Sequence, residues 1–396
     1  MQEFPGLLKF IVVFSDQDFV HDGQSLGIAM QLSEMTGARI VKIDVPKLSG
    51  ARHFFAGRRR VQILTGRKEE IRSWLSYARG DTMYRGIGKL FMENKIREHS
   101  AKVLLISAGN DAAPYNLAVA SAWHLACASV GKPAEIGTNP FEFVILPEYE
   151  QCPDEPNILK VVTPPVNIDR QLIQEQAANL RAECRPKSEH VWAVFVEGGN
   201  KFCYTTPAKL KQLFEKLIVR AEQIDADLYV AAAKQVSAGC VSMLKELAKN
   251  NDVIRYLHIG AEDENNPLPA LVGLADEVFC TEDSLTTISE IVTSGKRAIL
   301  LRTNCAGGLK TRWHRFVGKL IGRGAVSRKY AKGTAKYDLI FDRLNRHGKL
   351  IEFSDWISAS GRNEPIRYSL EDEAAVWKQF NEARRAAKWI AESLVE

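Results

Sequence analysis

Residues 281 to 290 read TEDSLTTISE: Thr281, Asp283, Ser284, Thr286 and Thr287 crowd one short stretch, and Glu290 follows about one turn later. The stretch comes directly after a strand-like run, Glu277 to Cys280, so it opens a helix at the end of a strand. Backbone N–H groups and the helix dipole at such a place favour an anionic group such as phosphate. The plain alternative is an ordinary N-cap, Asp283 or Ser284, followed by a solvated glutamate at 290. Capping gives no role to a glutamate so far inside the helix. A carboxylate there can accept both hydroxyl hydrogens of a ribose.

Three further loops carry side chains of the right kinds. In VEGGNKFCYT, Gly198 and Gly199 follow a strand, where a side chain would block close approach of a phosphate, and Asn200 and Lys201 stand beside them. A plain tight turn fits the glycine pair equally well. Near the N-terminus, Asp16, His21, Asp22 and Gln24 surround Gly23 at the end of the first strand. Histidine, with an unperturbed pKa of ~6.5, suits a general base for a hydroxyl. Asp22 or Asp16 would orient the ring or act instead, and helix capping or plain ligand binding is the alternative use of His21. The loop Ser107 to Asn110, with Gly109 inside it, follows a third strand and can join the same site. No His/Asp/Glu cluster has metal-ligand spacing, and no cofactor is expected. The acidic run 262–265 reads as a solvated loop.

Positioning these loops calls for an alternating α/β chain. Strands are expected at 9–14, 39–45, 102–107, 143–147, 158–163, 190–197, 227–233, 253–258, 277–282 and 297–302. Amphipathic stretches at 23–36, 114–130, 207–224 and 284–294 lie between them. Apolar strands alternating with helices imply parallel, doubly wound sheets. The 396 residues suit two domains. The polar segment 182–190 reads as their linker, giving domains 1–184 and 185–365. The segment 366–396 reads as a closing helix packing back across the domains. It begins with a capping box, Ser369 and Asp372, and carries a stripe of Val376, Trp377, Phe380, Ala387 and Ile390.

A net charge of +5 does not call for nucleic acid. Seven scattered cysteines without a CxxC argue for a reducing cytoplasm. The N-terminal run reads as a buried strand rather than a leader, and no apolar segment approaches the ~20 residues of a membrane span. Any membrane contact is expected to be peripheral.

The run ADEVFCTEDSLTTISEIVTSGKRAILL resembles the donor-site signature of GT-B glycosyltransferases, which pair two Rossmann-like domains across a cleft. The transferase that completes lipid II has a similar Ser-Glu-Ile helix holding the ribose of UDP. A likeness to the mitochondrial fission (elongated-mitochondria) family covers nearly the whole chain. SDQDFVHDGQSLGIA, ISAGNDAAPYNLAVA, LPEYEQCPDEPNILKVVTPP, FVEGGN and ENNPLPALVGLADEVFCTEDSLTTISE follow in that family's order. The resemblance implies a nucleotide-sugar donor on the second domain and an acceptor on the first. It implies transfer without a metal, the departing diphosphate being stabilised by helix dipoles and cations. Three departures stand out. Gln17 and Val20 replace glycines, Tyr149 replaces a histidine, and the usual Ser-Arg-Arg-Thr-Pro run is Ala233 to Ser237, leaving Lys234 as the cation for a diphosphate.

Two basic clusters remain, 57–68 and 310–324. In the second, Trp313, Phe316, Val317, Leu320 and Ile321 share one helical face, flanked by Arg312, Arg315, Lys319 and Arg323. A core-facing stripe with solvated charges is one reading; attraction to anionic lipid is the other. Phe54 and Phe55, ahead of Arg58, Arg59 and Arg60, make the first cluster the better membrane contact. The expectation is a metal-independent glycosyltransferase, cytoplasmic or peripheral on the inner face of the membrane, with a glycolipid or glycan acceptor. The alternative is a non-catalytic nucleotide-sugar-binding or scaffold protein.

Overall fold

The computed structural model describes residues 3–93, 102–148, 150, 152, 154–199, 203–263, 265–305, 313, 316–317, 320, 334–359 and 380–395. Strands β1 (Phe10–Ser15), β2 (Arg39–Asp44), β3 (Val103–Ala108), β4 (Ala126–Val130), β5 (Phe143–Pro147) and β6 (Ile158–Val161) form one sheet. Its order is β2-β1-β3-β4-β5-β6, with every pair parallel. Next along the chain come β7 (His190–Val196), β8 (Cys203–Tyr204), β9 (Ala226–Ala232), β10 (Ile254–Ile259), β11 (Glu277–Thr281), β12 (Ala298–Leu301), β13 (Asn304–Cys305) and β14 (Leu350–Glu352). Six of these form a second parallel sheet in the order β10-β9-β7-β11-β12-β14, while β8 and β13 pair antiparallel on their own.

Helices fill the connections. They are α1 (Phe19–Thr36), α2 (Gly50–Arg58), α3 (Val61–Leu64), α4 (Lys68–Tyr77), α5 (Asp81–Glu93), α6 (Gly109–Trp123), α7 (Arg170–Glu183), α8 (Pro207–Ile224), α9 (Ala238–Asn250), α10 (Leu268–Leu274) and α11 (Leu285–Thr293). Central strands are apolar on both faces because helices cover both: Ile11, Val12, Val13 and Phe14 are buried in β1, and Leu228, Tyr229 and Val230 in β9. All ten expected strands are present. β4 falls inside the stretch 114–130 expected to be helical, because its residues Ala-Cys-Ala-Ser-Val are too small and mixed to show a strand pattern. Burial between β3 and β5 decides its state.

Residues Met1–Asn167 with Asn381–Glu396 make one compact unit, and Ile168–Phe380 make the other. The boundary lies ahead of α7 rather than at 184/185, since α7 packs on α10. A Cβ on Gly273 would stand 2.7 Å from Ile173 Cγ2, so only glycine lets these helices meet. The last helix, Glu382–Val395, belongs to the first unit rather than spanning both. It buries Ala383, Ala386, Ala387 and Ile390 in a core shared with α1, and Glu382 Oε1 accepts from Val162 N at 3.1 Å. The capping box at Ser369 and Asp372, with Val376 and Trp377, lies outside the described residues.

Each sheet has one place where strand order reverses. In the first, α1 carries the chain from β1 outward to β2, and the chain then returns to set β3 on the other side of β1. In the second, β7 leads to β9 and β10 on one side, and β11 returns to the other. At such switch points the loops after adjacent strands turn apart and leave a crevice at the carboxyl ends.

Candidate functional site

At the second unit's switch point, the loops after β7 and β11 are tied together. Thr281 Oγ1 accepts from Glu197 N at 2.9 Å, and Asp283 Oδ2 accepts from Gly199 N at 2.5 Å. Thr287 Oγ1 donates to Glu197 Oε1 at 2.7 Å. Ser284, rather than Asp283, is the N-cap of α11: its Oγ accepts from Thr287 N at 3.2 Å. Thr281 and Asp283 therefore tie the two loops together. Thr286 is half-buried in the first turn of α11. Gly198 is required by packing, because a Cβ there would lie 2.2 Å from Gln235 Cγ in the loop after β9. Lys234, in that same loop, is exposed. Asn200 and Lys201 lie outside the described residues, as does Tyr149.

Glu290 sits in the second turn of α11. Burial, together with the charge of Glu197, pushes its carboxyl up to about 7. Burial likewise pushes Glu197 up to about 7, opposed by the Thr287 hydrogen bond and assisted by Asp283. Two half-buried carboxyls thus lie at this switch point, and burial favours the neutral form of each. Sequence reasoning missed Glu197; its place just ahead of the glycine pair, at the carboxyl end of a strand, was the available signal. The neighbouring Glu282 is committed elsewhere. Arg302 Nη1 donates to Glu282 Oε2 at 2.8 Å and to Asp338 Oδ1 at 2.9 Å, and Nη2 donates to Glu352 Oε1 at 2.6 Å.

The first unit's switch point gathers the N-terminal residues, with one correction. Asp18 caps α1 by accepting from Val20 N and His21 N, so the helix starts at Phe19. His21, Asp22, Gly23 and Gln24 are thus helical, not loop, residues. His21 Nδ1 lies 2.7 Å from Asp16 Oδ2. Asp22 points elsewhere: its Oδ2 accepts from Ser15 Oγ at 2.9 Å and Lys42 Nζ at 2.8 Å. The hydrogen bond that Lys42 donates to Asp22 raises the Lys42 pKa against partial burial. Ser107 is buried and accepts from Asn116 Nδ2, and Asn110 Oδ1 accepts from Ala134 N. Ser107 to Asn110 are not a loop but the junction where β3 ends at Ala108 and α6 starts at Gly109, and there Gly109 stands against the His–Asp pair. Gln17, where the resembling family has glycine, adopts φ of 61°, a left-handed conformation that suits glycine.

A pocket of about 360 Å³ opens beside this pair, between α1, the 45–48 segment, α2 and α6. Its wall brings in His53, Arg60 and Asp111, none of which sequence reasoning placed here. They converge from 58 and 51 residues apart, so no local signal reveals them.

Two doubly wound parallel sheets, each with polar side chains at its switch point, define an α/β protein of the two-Rossmann-unit kind found in GT-B proteins. The chain belongs to the mitochondrial fission ELM1 family, whose model matches residues 21–343. No curated protein matches it. Among solved structures it is similar to the glycotransferase of kitacinnamycin at 14% identity and TM-score 0.47, covering 97% of this chain and 99% of that one. It is similar to UDP-GlcNAc 2-epimerase from Methanocaldococcus jannaschii at 14% identity and TM-score 0.43, covering 86% and 99%. A structure described as trehalose-6-phosphate from E. coli bound with UDP-2-fluoro glucose is similar at 11% identity and TM-score 0.43, covering 98% and 99%. The fold assignment stands on the sheet order itself.

Proposed function

We propose that the protein is a glycosyltransferase of GT-B type, taking a sugar from a nucleotide-sugar donor on the second unit and passing it to a hydroxyl of a cell-envelope glycolipid or glycan. The observation that carries this reading is Glu290, a half-buried carboxyl in the second turn of α11 at the switch point, with Glu197 beside it. Glu290 accepts the ribose hydroxyls. The start of α11 and the Gly199 loop receive the diphosphate, with Lys234 and Lys201 as cations. His21, oriented by Asp16, takes the proton of the acceptor hydroxyl as its oxygen attacks the anomeric carbon. The bond from that carbon to the diphosphate breaks, and the nucleotide leaves with the electron pair. Metal independence belongs to the same reading, and activity is expected to survive EDTA.

No described helix is long and apolar enough to cross a membrane. Peripheral attachment at the cytoplasmic face is part of the same proposal. The deciding experiment supplies UDP-, GDP- and CMP-sugars with a membrane extract and measures free nucleotide. Release that depends on Glu290 supports transfer. Nucleotide binding without release from any donor replaces it with a non-catalytic binding or scaffold role. Gln17 at a glycine conformation and the cation-poor loop 233–237 favour that second reading.

A further inference from the structure

The pocket of the first unit contains a cation that the transfer chemistry leaves unused. Arg60 follows α2, and its side chain is only 9% exposed. Its two acidic neighbours are set loosely: Nη2 is 3.4 Å from Asp111 Oδ1, and Nη1 is 3.9 Å from Glu135 Oε2. A well-made guanidinium–carboxylate bond is shorter, about 2.7–2.9 Å. Nε is buried with no hydrogen-bond partner among the described residues. Asp111 is shared with His53, whose Nε2 stands 2.9 Å from the same oxygen. Lys47, on the same wall, makes no ion pair among the described residues. The other acids lining the pocket are committed, Asp16 to His21 and Asp18 to the start of α1. Taking a guanidinium out of water is costly unless an anion with good geometry replaces the water. The pocket's own carboxylates do not supply that geometry.

We propose that this pocket is a subsite for an anionic group, a phosphate monoester or a carboxylate, seated on Arg60 and Lys47 with His53 at its rim. Its volume of about 360 Å³ lies within the ~300–1,000 Å³ of ordinary ligand sites and admits a phosphorylated monosaccharide. Arginine in a planar fork suits such an anion better than a neutral hydroxyl. Serving as the acceptor's subsite rests on the transferase reading; binding the anion does not.

The test is calorimetry on the full chain with α-glucose 1-phosphate, inorganic phosphate and neutral methyl α-glucoside. Sedimentation with vesicles containing phosphatidic acid forms a second arm. The phosphates are expected to bind and the glucoside not. Arg60→Met should weaken phosphate binding at least tenfold, Arg60→Lys less, and the exposed Lys47→Ala severalfold without threatening the fold. Glu290→Ala should leave it unchanged, which separates this pocket from the nucleotide site. Capture by phosphatidic acid vesicles but not by soluble phosphates, if Arg60→Met abolishes it, would support the site and assign its anion to a lipid headgroup. The proposal is overturned if wild type binds neither the soluble phosphates nor the phosphatidic acid vesicles, if the glucoside binds equally well, or if Lys47→Ala and Arg60→Lys both match wild type. Loss of phosphate binding in Glu290→Ala would also overturn it. Failure of nucleotide release with this binding intact would remove the transferase reading alone.

Discussion

Gly109 stands against His21: a Cβ built on Gly109 would lie 2.4 Å from His21 Nδ1 and 2.9 Å from Asp16 Oδ2. With φ at 80°, Gly109 is doubly bound to be glycine. Gly109→Ala is expected to break the His–Asp pair and lower turnover together with stability. His21→Ala should lower turnover by about 10²–10⁴-fold, the usual worth of a general base, while leaving nucleotide affinity nearly unchanged. Steady-state kinetics beside nucleotide calorimetry checks this, and wild-type turnover in a folded His21→Ala protein excludes the role.

Glu290→Ala tests the other unit. Above the value of about 7 at which Glu290 ionises, losing a charged hydrogen-bond partner costs about 1.5–3 kcal/mol, or roughly tenfold or more in affinity. Calorimetry that finds equal nucleotide binding by the variant and the wild type rejects the ribose assignment.

The raised carboxyls make a pH prediction with a definite sign. Glu197 and Glu290 have folded-state values near 7, above the ordinary 4.5 of the unfolded chain. The folded protein therefore holds protons that the unfolded chain releases between pH 4.5 and 7. Their contribution to stability is fully present below pH 4.5 and is lost as pH rises through about 7. Glu290→Gln removes one ionisation, so its melting temperature relative to wild type should rise from pH 5 to pH 8. A difference that stays flat with pH would show that the crevice does not repel charge.

Gln17 holds a left-handed conformation at φ 61°. For a residue with a Cβ this costs about 1–2 kcal/mol, part of which glycine gives back through its freer unfolded chain. Gln17→Gly is expected to stabilise the protein by up to ~1 kcal/mol in denaturant melts. Destabilisation would mean that the contact from Gln17 Nε2 to Val45 O, at 3.4 Å, matters more than the backbone.

The basic residues at the end of α2 and just after it are divided. Arg60 turns inward to the pocket, while Phe54 and Phe55 are 55% and 51% exposed. Arg58 lies over the Phe54 ring at 5.0 Å, and Arg59 lies over Tyr77 at 4.7 Å. Binding to anionic vesicles is expected, weakening at high salt because exposed charges are screened within ~8 Å at physiological ionic strength. Phe54→Ser with Phe55→Ser should reduce it. Equal sedimentation with neutral and anionic vesicles would refute the contact. In the second basic cluster, Trp313 and Phe316 are exposed, while Arg312, Arg315, Lys319 and Arg323 lie outside the described residues.

The sequence alone determined the doubly wound class, because strands such as β1 and β9 are apolar on both faces and are separated by helix-period segments. It also marked both switch-point loops, since glycine pairs and hydroxyl-rich helix starts have local signatures. Where the signal was not local, it ran out. β4 is made of small residues whose state depends on its neighbours, and α1 begins four residues before Gly23 because Asp18 captures its first N–H groups. That Asp16 rather than Asp22 holds His21 depends on Lys42, a strand away, drawing Asp22 aside. That Glu197 faces Glu290, and that Arg60 shares a pocket with Asp111, depends on which strands lie side by side. Adjacency in a parallel sheet is set by long-range crossover connections, and only the tertiary structure carries it.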